Sequence, residues 1–405
     1  MCKIGIIGGG AAGFFAAIQC KLLNPETDVT ILEKTSKVLA KVKISGGGRC
    51  NVTNVESDPV KLATKYPRGE RQLKKAFRNF STTDTIRFFE ERGVPLVAQE
   101  DGCIFPVSQD SQSIIDCFLN ECNRLNIEVK KNFRLDKIEQ VSNGGFTLIA
   151  ENANLFFDKV IICTGGAPKK SHLLWLEELN QPVIDPVPSL FTFNMPGNPI
   201  TELQGSVVKH AITKIPGTKL TAEGPLLITH WGMSGPAILA LSAWGARVLE
   251  EVGYEFKVTV NWTGIKNEEE IRTELKYCAE QNANKKLDKF GVFGLTQRLW
   301  SFLLDKFQVN KEKAWKELNK KEFNRLVNGL MNDEYPVSGK TTFKEEFVTA
   351  GGVDLSHVNV SNMESKIIPG LHFAGEILDI DGITGGFNFQ AAWTTAYLAA
   401  KGAVS

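Results

Sequence analysis

At 405 residues the chain is longer than one hydrophobic core usually serves, so two or three domains are expected. A formal charge of +1 gives no global attraction to nucleic acid or to an anionic membrane, and the lysine-rich stretches are interleaved with acids, so nucleic acid is not the default partner. No apolar run approaches membrane-spanning length, Met1-Cys2-Lys3 leads directly into a strand pattern, and eight cysteines lack a CxxC pair; these features predict a cytoplasmic protein with no zinc site and no dithiol redox motif. Cys117 and Cys122 lie five apart in an expected helix and need not face one another, so no disulfide is expected there.

The run Ile4-Gly5-Ile6-Ile7 is short and rich in isoleucine, which fits a buried parallel strand. It enters Gly8-Gly9-Gly10-Ala11-Ala12-Gly13, and Phe14 to Ile18 can then cover a helical face. In the spacing Gly8-x-Gly10-x-x-Gly13 the first glycine permits the tight turn, the second lets a pyrophosphate approach, and the third lets helix and strand pack closely. Val29-Thr30-Ile31-Leu32 is a second strand ending at Glu33, where a carboxylate can accept both hydrogen bonds of a ribose diol. Strand, turn, helix, strand and acid in register predict adenine-dinucleotide binding by Gly8, Gly10, Ala11, Ala12, Gly13, Glu33 and Lys34.

Residues 34–54 show no periodic pattern and hold a second glycine cluster. Lys43, Ser45, Gly46, Gly47, Arg49, Cys50 and Asn51 suit a backbone pressed against a polar ligand, with the two cations able to meet phosphate or an electron-rich ring. Helices are expected at 71–79, at 82–92 with Ser81 or Thr82 as cap, and at 111–125. Segments 127–131, 133–141, 146–149 and 155–157 read as an antiparallel meander, turning at Asn143-Gly144-Gly145. The strand 159–163 then runs into Thr164-Gly165-Gly166, small residues that again permit close approach of a ligand.

From about Pro186 the composition changes. Residues 190–265 are expected to form a β-rich, barrel-like insert, and 266–340 a helical subdomain reading as helix throughout 267–333. Residues 1–189 and 341–405 would be the two parts of the first domain. Within the insert, Ser234-Gly235-Pro236 has the form of a helix start with Ser234 as cap, and His230 is a pocket candidate. Near the end, the strand 370–374 leads to Gly375-Glu376, and Gly382-Ile383-Thr384-Gly385-Gly386 leads into a helix from Phe387.

GIIGGGAAG with Glu33, the strand ending CTGG, and FAGE followed by a glycine turn and helix resemble the two-dinucleotide-binding-domain flavoproteins of the glutathione-reductase structural class. More narrowly, KISGGGRCNVTN, PVPSL, THWGMSGPA and GEILDIDGITGGFNFQAAWTTA resemble the bacterial BaiN-like family, also described as aminoacetone-oxidase-like, across essentially the whole chain. The resemblance implies an α/β fold with a Rossmann-like FAD-binding domain, parallel sheet and β-meander, interrupted by the insert. It places the adenosine end of FAD at Gly8 to Gly13 and Glu33, adenine at the main chain around Phe133, and further contacts at Thr164 and Gly165. It places Gly375 and Glu376 by the ribityl chain or pyrophosphate, and Gly386, Phe387 and Asn388 at the flavin pyrimidine edge, where a helix N-terminus meets the charge gained on reduction.

FAD carries the redox chemistry itself, so no protein nucleophile is required. His230 and Cys50 are the candidates for a catalytic role. The absence of a second glycine fingerprint leaves NADH or NADPH only as a transient electron donor. The principal reading is an FAD-dependent oxidoreductase acting on a small organic substrate, as a reductase of a carbon–carbon double bond or as an amine oxidase. The alternatives are a flavin-carrying protein whose insert recognises RNA or a protein, and an NAD-dependent dehydrogenase. Oligomeric state is not specified by the sequence.

Overall fold

The computed structural model describes residues 1–142, 144–151, 153–342 and 348–405. Asn143 of the expected turn, and 343–347 at the start of the expected return to the first domain, lie outside the described residues. The chain forms two compact units, residues 1–189 with 344–405 and residues 190–343.

The first unit is built on a seven-stranded sheet with Lys3–Ile7 inside it, pairing in parallel with Asp28–Leu32 on one side and Lys159–Ile162 on the other. Leu371–Phe373 continues the parallel set beyond Lys159–Ile162, and short antiparallel strands at 358–359 and 364–365 finish that edge. The central strands are continuous apolar runs because both faces are covered: Ile4, Ile6, Val160, Ile161 and Ile162 are buried. The helices Ala11–Leu23 and Phe387–Val404 pack against one another, with Phe14 to Ile18 on one and Ala396, Ala399 and Ala400 on the other fully enclosed. Alanines on the second helix let the two backbones approach.

The expected four-segment meander is corrected to three strands, Leu135–Gln140, Phe146–Ala150 and Ala153–Phe157. Glu128–Lys130 instead joins the main sheet, parallel to Asp28–Leu32. It follows the helix Gln112–Arg124, and a helical crossover delivers a parallel strand, a constraint that run length alone does not carry. A second correction falls in the glycine loop, where Ala40–Gly48 is assigned helical although Ser45, Gly46 and Gly47 leave helical geometry.

The second unit is a seven-stranded antiparallel sheet in the order 333–338, 255–261, 207–214, 221–229, 232–234, 192–194, 340–341, with the helix Pro236–Glu251 packed on it. Ser234 does not cap that helix. It ends the strand Gly232–Ser234, and Gly235 at φ +93° takes the capping position, where a side chain would collide with Pro225 O and Leu227 N. Helix is not continuous through 267–333 either: Glu268–Gln281, Gln297–Lys306 and Lys320–Met331 are separated by short turns at 287–289 and 315–317. Gly291 and Gly294 break the first gap, and 285–287 pairs with 313–315 instead of coiling. Among the described residues no helix is long and apolar enough to cross a membrane.

Candidate cofactor site

The glycine turn shows which of its members the fold needs and which it leaves open. A Cβ on Gly8 would collide with the carbonyl of Cys163, and one on Gly13 would land on the carbonyl of Gly8, so these two serve strand-to-strand and helix-to-strand packing. A Cβ on Gly10 would meet no protein atom within 4 Å. Gly10 is the helix N-cap, so the open space lies where the unpaired N–H groups of Ala11–Leu23 and the positive end of its dipole favour an anion. Gly47 and Gly165, from the two other segments predicted to approach the cofactor, likewise face no protein atom within 4 Å. The residues present thus fit a pyrophosphate-bearing dinucleotide.

Glu33 is fixed by the turn it serves. Its Oε2 accepts from Gly9 N at 2.8 Å and its Oε1 from Thr35 N and Thr35 Oγ1, both at 2.8 Å. The carboxylate is held in place and keeps lone pairs for a diol. Phe133 N donates to Glu33 O at 2.9 Å, which sets the Phe133 main chain beside this acid. Lys34 is exposed.

The second predicted contact region lies at the start of the helix Phe387–Val404. Gly386 caps Phe387–Val404 at φ +85°, and a Cβ there would strike Thr53 O, so only glycine lets the loop and the turn close together. Asn388 clasps the turn, accepting from Gly382 N at 2.9 Å and donating to Gly382 O at 3.0 Å. Asn51, whose amide, oriented to satisfy its neighbours, puts its oxygen 3.1 Å from Gly386 N, ties the glycine loop to the same place, and Tyr66 Oη donates to Phe387 O at 2.6 Å. Gly375 lies against the first helix, where its Cβ would touch Ala12, so two of the predicted contact segments adjoin. Glu376 accepts from Thr349 N at 3.1 Å and pairs with Lys41 at 2.8 Å. Gly166 sits against both Thr349 and Glu376.

Other predicted side chains are used within the loop. Arg49 stacks over Phe105 at 4.3 Å and donates to Gly46 O at 3.1 Å, while Lys43 reaches Gln112 at 3.0 Å and Asp110 at 3.7 Å. Ser45 Oγ donates to Val42 O. Cys50 is fully buried, and burial pushes its thiol up to about 12 despite a hydrogen bond with Ser45, the reverse of a nucleophilic thiolate. His230 is exposed, edge-on to Trp231, in the second unit.

One charged constellation has no local sequence signal. Asp381 is fully buried beside the Gly382 turn, paired with both arms of Arg68, and accepts from Ser189 Oγ at 2.6 Å. Burial pushes its carboxyl up to about 6 against the pull of the guanidinium and the hydroxyl. Asp381 and Ser189 each stand inside a segment that carries the family resemblance, but Arg68 comes from Pro-Arg-Gly-Glu, and none of the three has a periodic or spacing signal that marks the contact.

The family model described as HI0933-like protein Rossmann domain matches residues 2–402. The chain belongs to this family. Similar to this HI0933-like chain are a 3-dehydro-bile acid delta(4,6)-reductase of Clostridium scindens, 28% identical over 100% of this chain and 99% of the relative, and a ribosomal RNA dihydrouridine synthase of Haemophilus influenzae, 29% identical over 98% and 96%. A ribosomal RNA dihydrouridine synthase of Escherichia coli is 29% identical over 98% and 96%. Among solved structures, the 3-ketosteroid-delta4-(5alpha)-dehydrogenase of Rhodococcus jostii matches with a TM-score of 0.53 at 11% identity over 100% of this chain and 97% of that one. The open conformation of a flavocytochrome c3 fumarate reductase matches with a TM-score of 0.52 at 14% identity over 100% and 78%. At these identities the structural matches bear on the fold.

Proposed function

We propose that this FAD-dependent oxidoreductase of the HI0933-like family reduces a carbon–carbon double bond conjugated to a carbonyl in a small organic substrate. The observation that supports the cofactor is the division of labour among the turn glycines, with Gly10 left open at a helix N-terminus and the turn Gly382 to Asn388 in the same unit, while the reaction type rests on the full-length reductase relative. A conjugated enone and a uracil ring share that conjugated unit, and the reading is supported by two relatives named 3-dehydro-bile acid delta(4,6)-reductase and ribosomal RNA dihydrouridine synthase.

FAD, when bound, supplies a two-electron carrier able to deliver hydride. Gly10, Ala11 and Ala12 would receive the pyrophosphate, Glu33 the ribose, and the first amides of Phe387–Val404 the flavin pyrimidine edge. Asn388 and Tyr66 hold those amides in place, and Arg68 with Asp381 fixes the turn before them. NADH or NADPH is the proposed electron donor. A cytoplasmic location is supported by eight cysteines that are all unpaired.

A second form of the reading, in which the reducible ring is a uracil within RNA, is favoured by the two dihydrouridine synthase relatives. Anaerobic reduction of the purified protein by NADH or NADPH, followed by a candidate acceptor, tests both. The oxidised flavin spectrum should return with a conjugated enone or with RNA and not with an unconjugated alkene. Bleaching by amines alone, with peroxide formed in air, overturns the reductase in favour of an oxidase, and a colourless protein releasing no flavin overturns the whole reading.

A further inference from the structure

The second unit gathers positive charge that its sequence scatters. Segment 285–287 runs beside 313–315: Lys286 bridges to Ala314, Leu287 N donates to Lys313 O at 2.9 Å, and Trp315 N donates to Lys285 O at 3.1 Å. The helix Lys320–Met331 begins directly after, and Lys313 reaches Glu322 in its first turn at 2.8 Å. Lys285, Lys286, Lys316, Lys320 and Lys321 therefore share one corner of the unit, all exposed.

Carboxylates neutralise only part of this corner. Lys286 pairs with Glu312 and Lys313 with Glu322, whereas Lys316 Nζ meets the uncharged Asn284 Oδ1 at 2.8 Å. Among the described residues no carboxylate pairs with Lys320 or Lys321. Both stand in the first turn of a helix, where positive charge opposes the dipole. The neighbouring helix Glu268–Gln281 opens with Glu268-Glu269-Glu270, the choice the dipole favours. Asn319 and Glu322 already cap Lys320–Met331 reciprocally, so the helix start is satisfied without the two lysines. Charge kept against the local preference points outward.

The adjoining surface is a shallow concavity lined by Lys320, Lys321, Asn324, Arg325 and Asn328. Arg325 Nε is buried there without a hydrogen-bond partner. Asn324 Oδ1 is taken by Arg272 at 2.8 Å and Asn328 Oδ1 by Asn332 at 3.1 Å, which leaves their amide N–H groups as donors. A surface made of cations and N–H donors suits a chain of acceptors carrying negative charge. None of these residues is a large apolar side chain that could enter a bilayer, which disfavours an anionic membrane.

We propose that this corner binds the phosphate backbone of RNA. The proposal deepens the RNA-directed form of the function above, but it concerns binding alone and is measured without turnover. The test is fluorescence anisotropy of a labelled RNA oligonucleotide with the oxidised holoprotein, across a salt series. Lys320→Glu with Lys321→Glu should weaken binding about tenfold or more and make the dependence of log affinity on log salt shallower by about two. Lys209→Glu, on the sheet, should leave binding unchanged, and flavin content and melting temperature should match the parent in every variant.

Absence of RNA binding at about 50 mM salt, or equal binding by the double variant, overturns the proposal. Polyglutamate bound as tightly as RNA overturns it in favour of an acidic protein partner, and preferential capture by phosphatidylserine vesicles overturns it in favour of a membrane surface. Intact RNA binding with no reoxidation of reduced flavin by RNA refutes the RNA substrate and leaves the binding face standing.

Discussion

Replacing Arg68 by alanine should destabilise the first unit in a way that depends on pH. Asp381 is fully buried, and even with Arg68 beside it the carboxyl rises from 3.8 to about 6. The folded state therefore holds this proton more tightly than the unfolded chain, and ionised Asp381 costs about 3 kcal/mol of stability, absent below pH about 4 and fully present above pH about 6. Removing the guanidinium lifts the folded value further and leaves a buried charge unpaired, a loss of about 3–5 kcal/mol at pH 8. For a domain of roughly 150–250 residues each kcal/mol moves the melting temperature by about 2–4 °C, so a fall of about 6–20 °C is expected. At pH 5 the carboxyl is protonated, the charge cost vanishes, and the remaining loss is about 1–2 kcal/mol of hydrogen bonding. Thermal denaturation followed by circular dichroism at the two pH values decides the matter. An equal fall at pH 5 and pH 8 would refute the claim that Arg68 acts by neutralising Asp381.

The turn glycines should separate into two phenotypes: Gly13→Ala, whose Cβ lands on the Gly8 carbonyl, should fail to accumulate as folded protein, whereas Gly10→Ala should fold with an unchanged melting temperature as apoprotein and lose flavin on gel filtration. Glu33→Gln should weaken FAD binding by roughly tenfold to a hundredfold, the loss of charge-assisted hydrogen bonds at about 1.5–3 kcal/mol, read by flavin fluorescence titration of apoprotein. Cys50→Ala should leave the rate of flavin reoxidation within about twofold of the parent, since burial holds the thiol protonated; a loss of ten times or more in stopped-flow would restore a chemical role.

The first unit was legible where composition and order act together. A β-branched run ended by three glycines and followed by an acid after the next strand permits few other structures; Gly8 and Gly13 take the packing positions their spacing implies, and Gly10 faces open space. Glu128–Lys130 was misplaced because pairing partners are set by crossover geometry and not by the segment's own residues. The surroundings of Cys50 are likewise beyond a local reading: the neighbouring Arg49 guanidinium lies over Phe105 and the thiol is buried. Arg68, Ser189 and Asp381 meet across most of the chain, and no local pattern announces a contact of that span. Ser234 and Gly235 show the limit at finer scale, since a capping motif and a strand ending in a left-handed glycine read alike until the close approach of Pro225 is seen.

The antiparallel pair Val183–Ser189 and Val348–Val353 sets Ser189 opposite Val348. The chain thus departs from its flavin-binding unit and rejoins it at neighbouring points on one ladder, as the two ends of a hairpin would. Such a junction accepts a tight turn as readily as a whole domain, because closing it asks no rearrangement of either strand. The first unit is in this sense a socket, and what is plugged into it can be exchanged while Gly8 to Gly13 and Gly382 to Asn388 stay as they are.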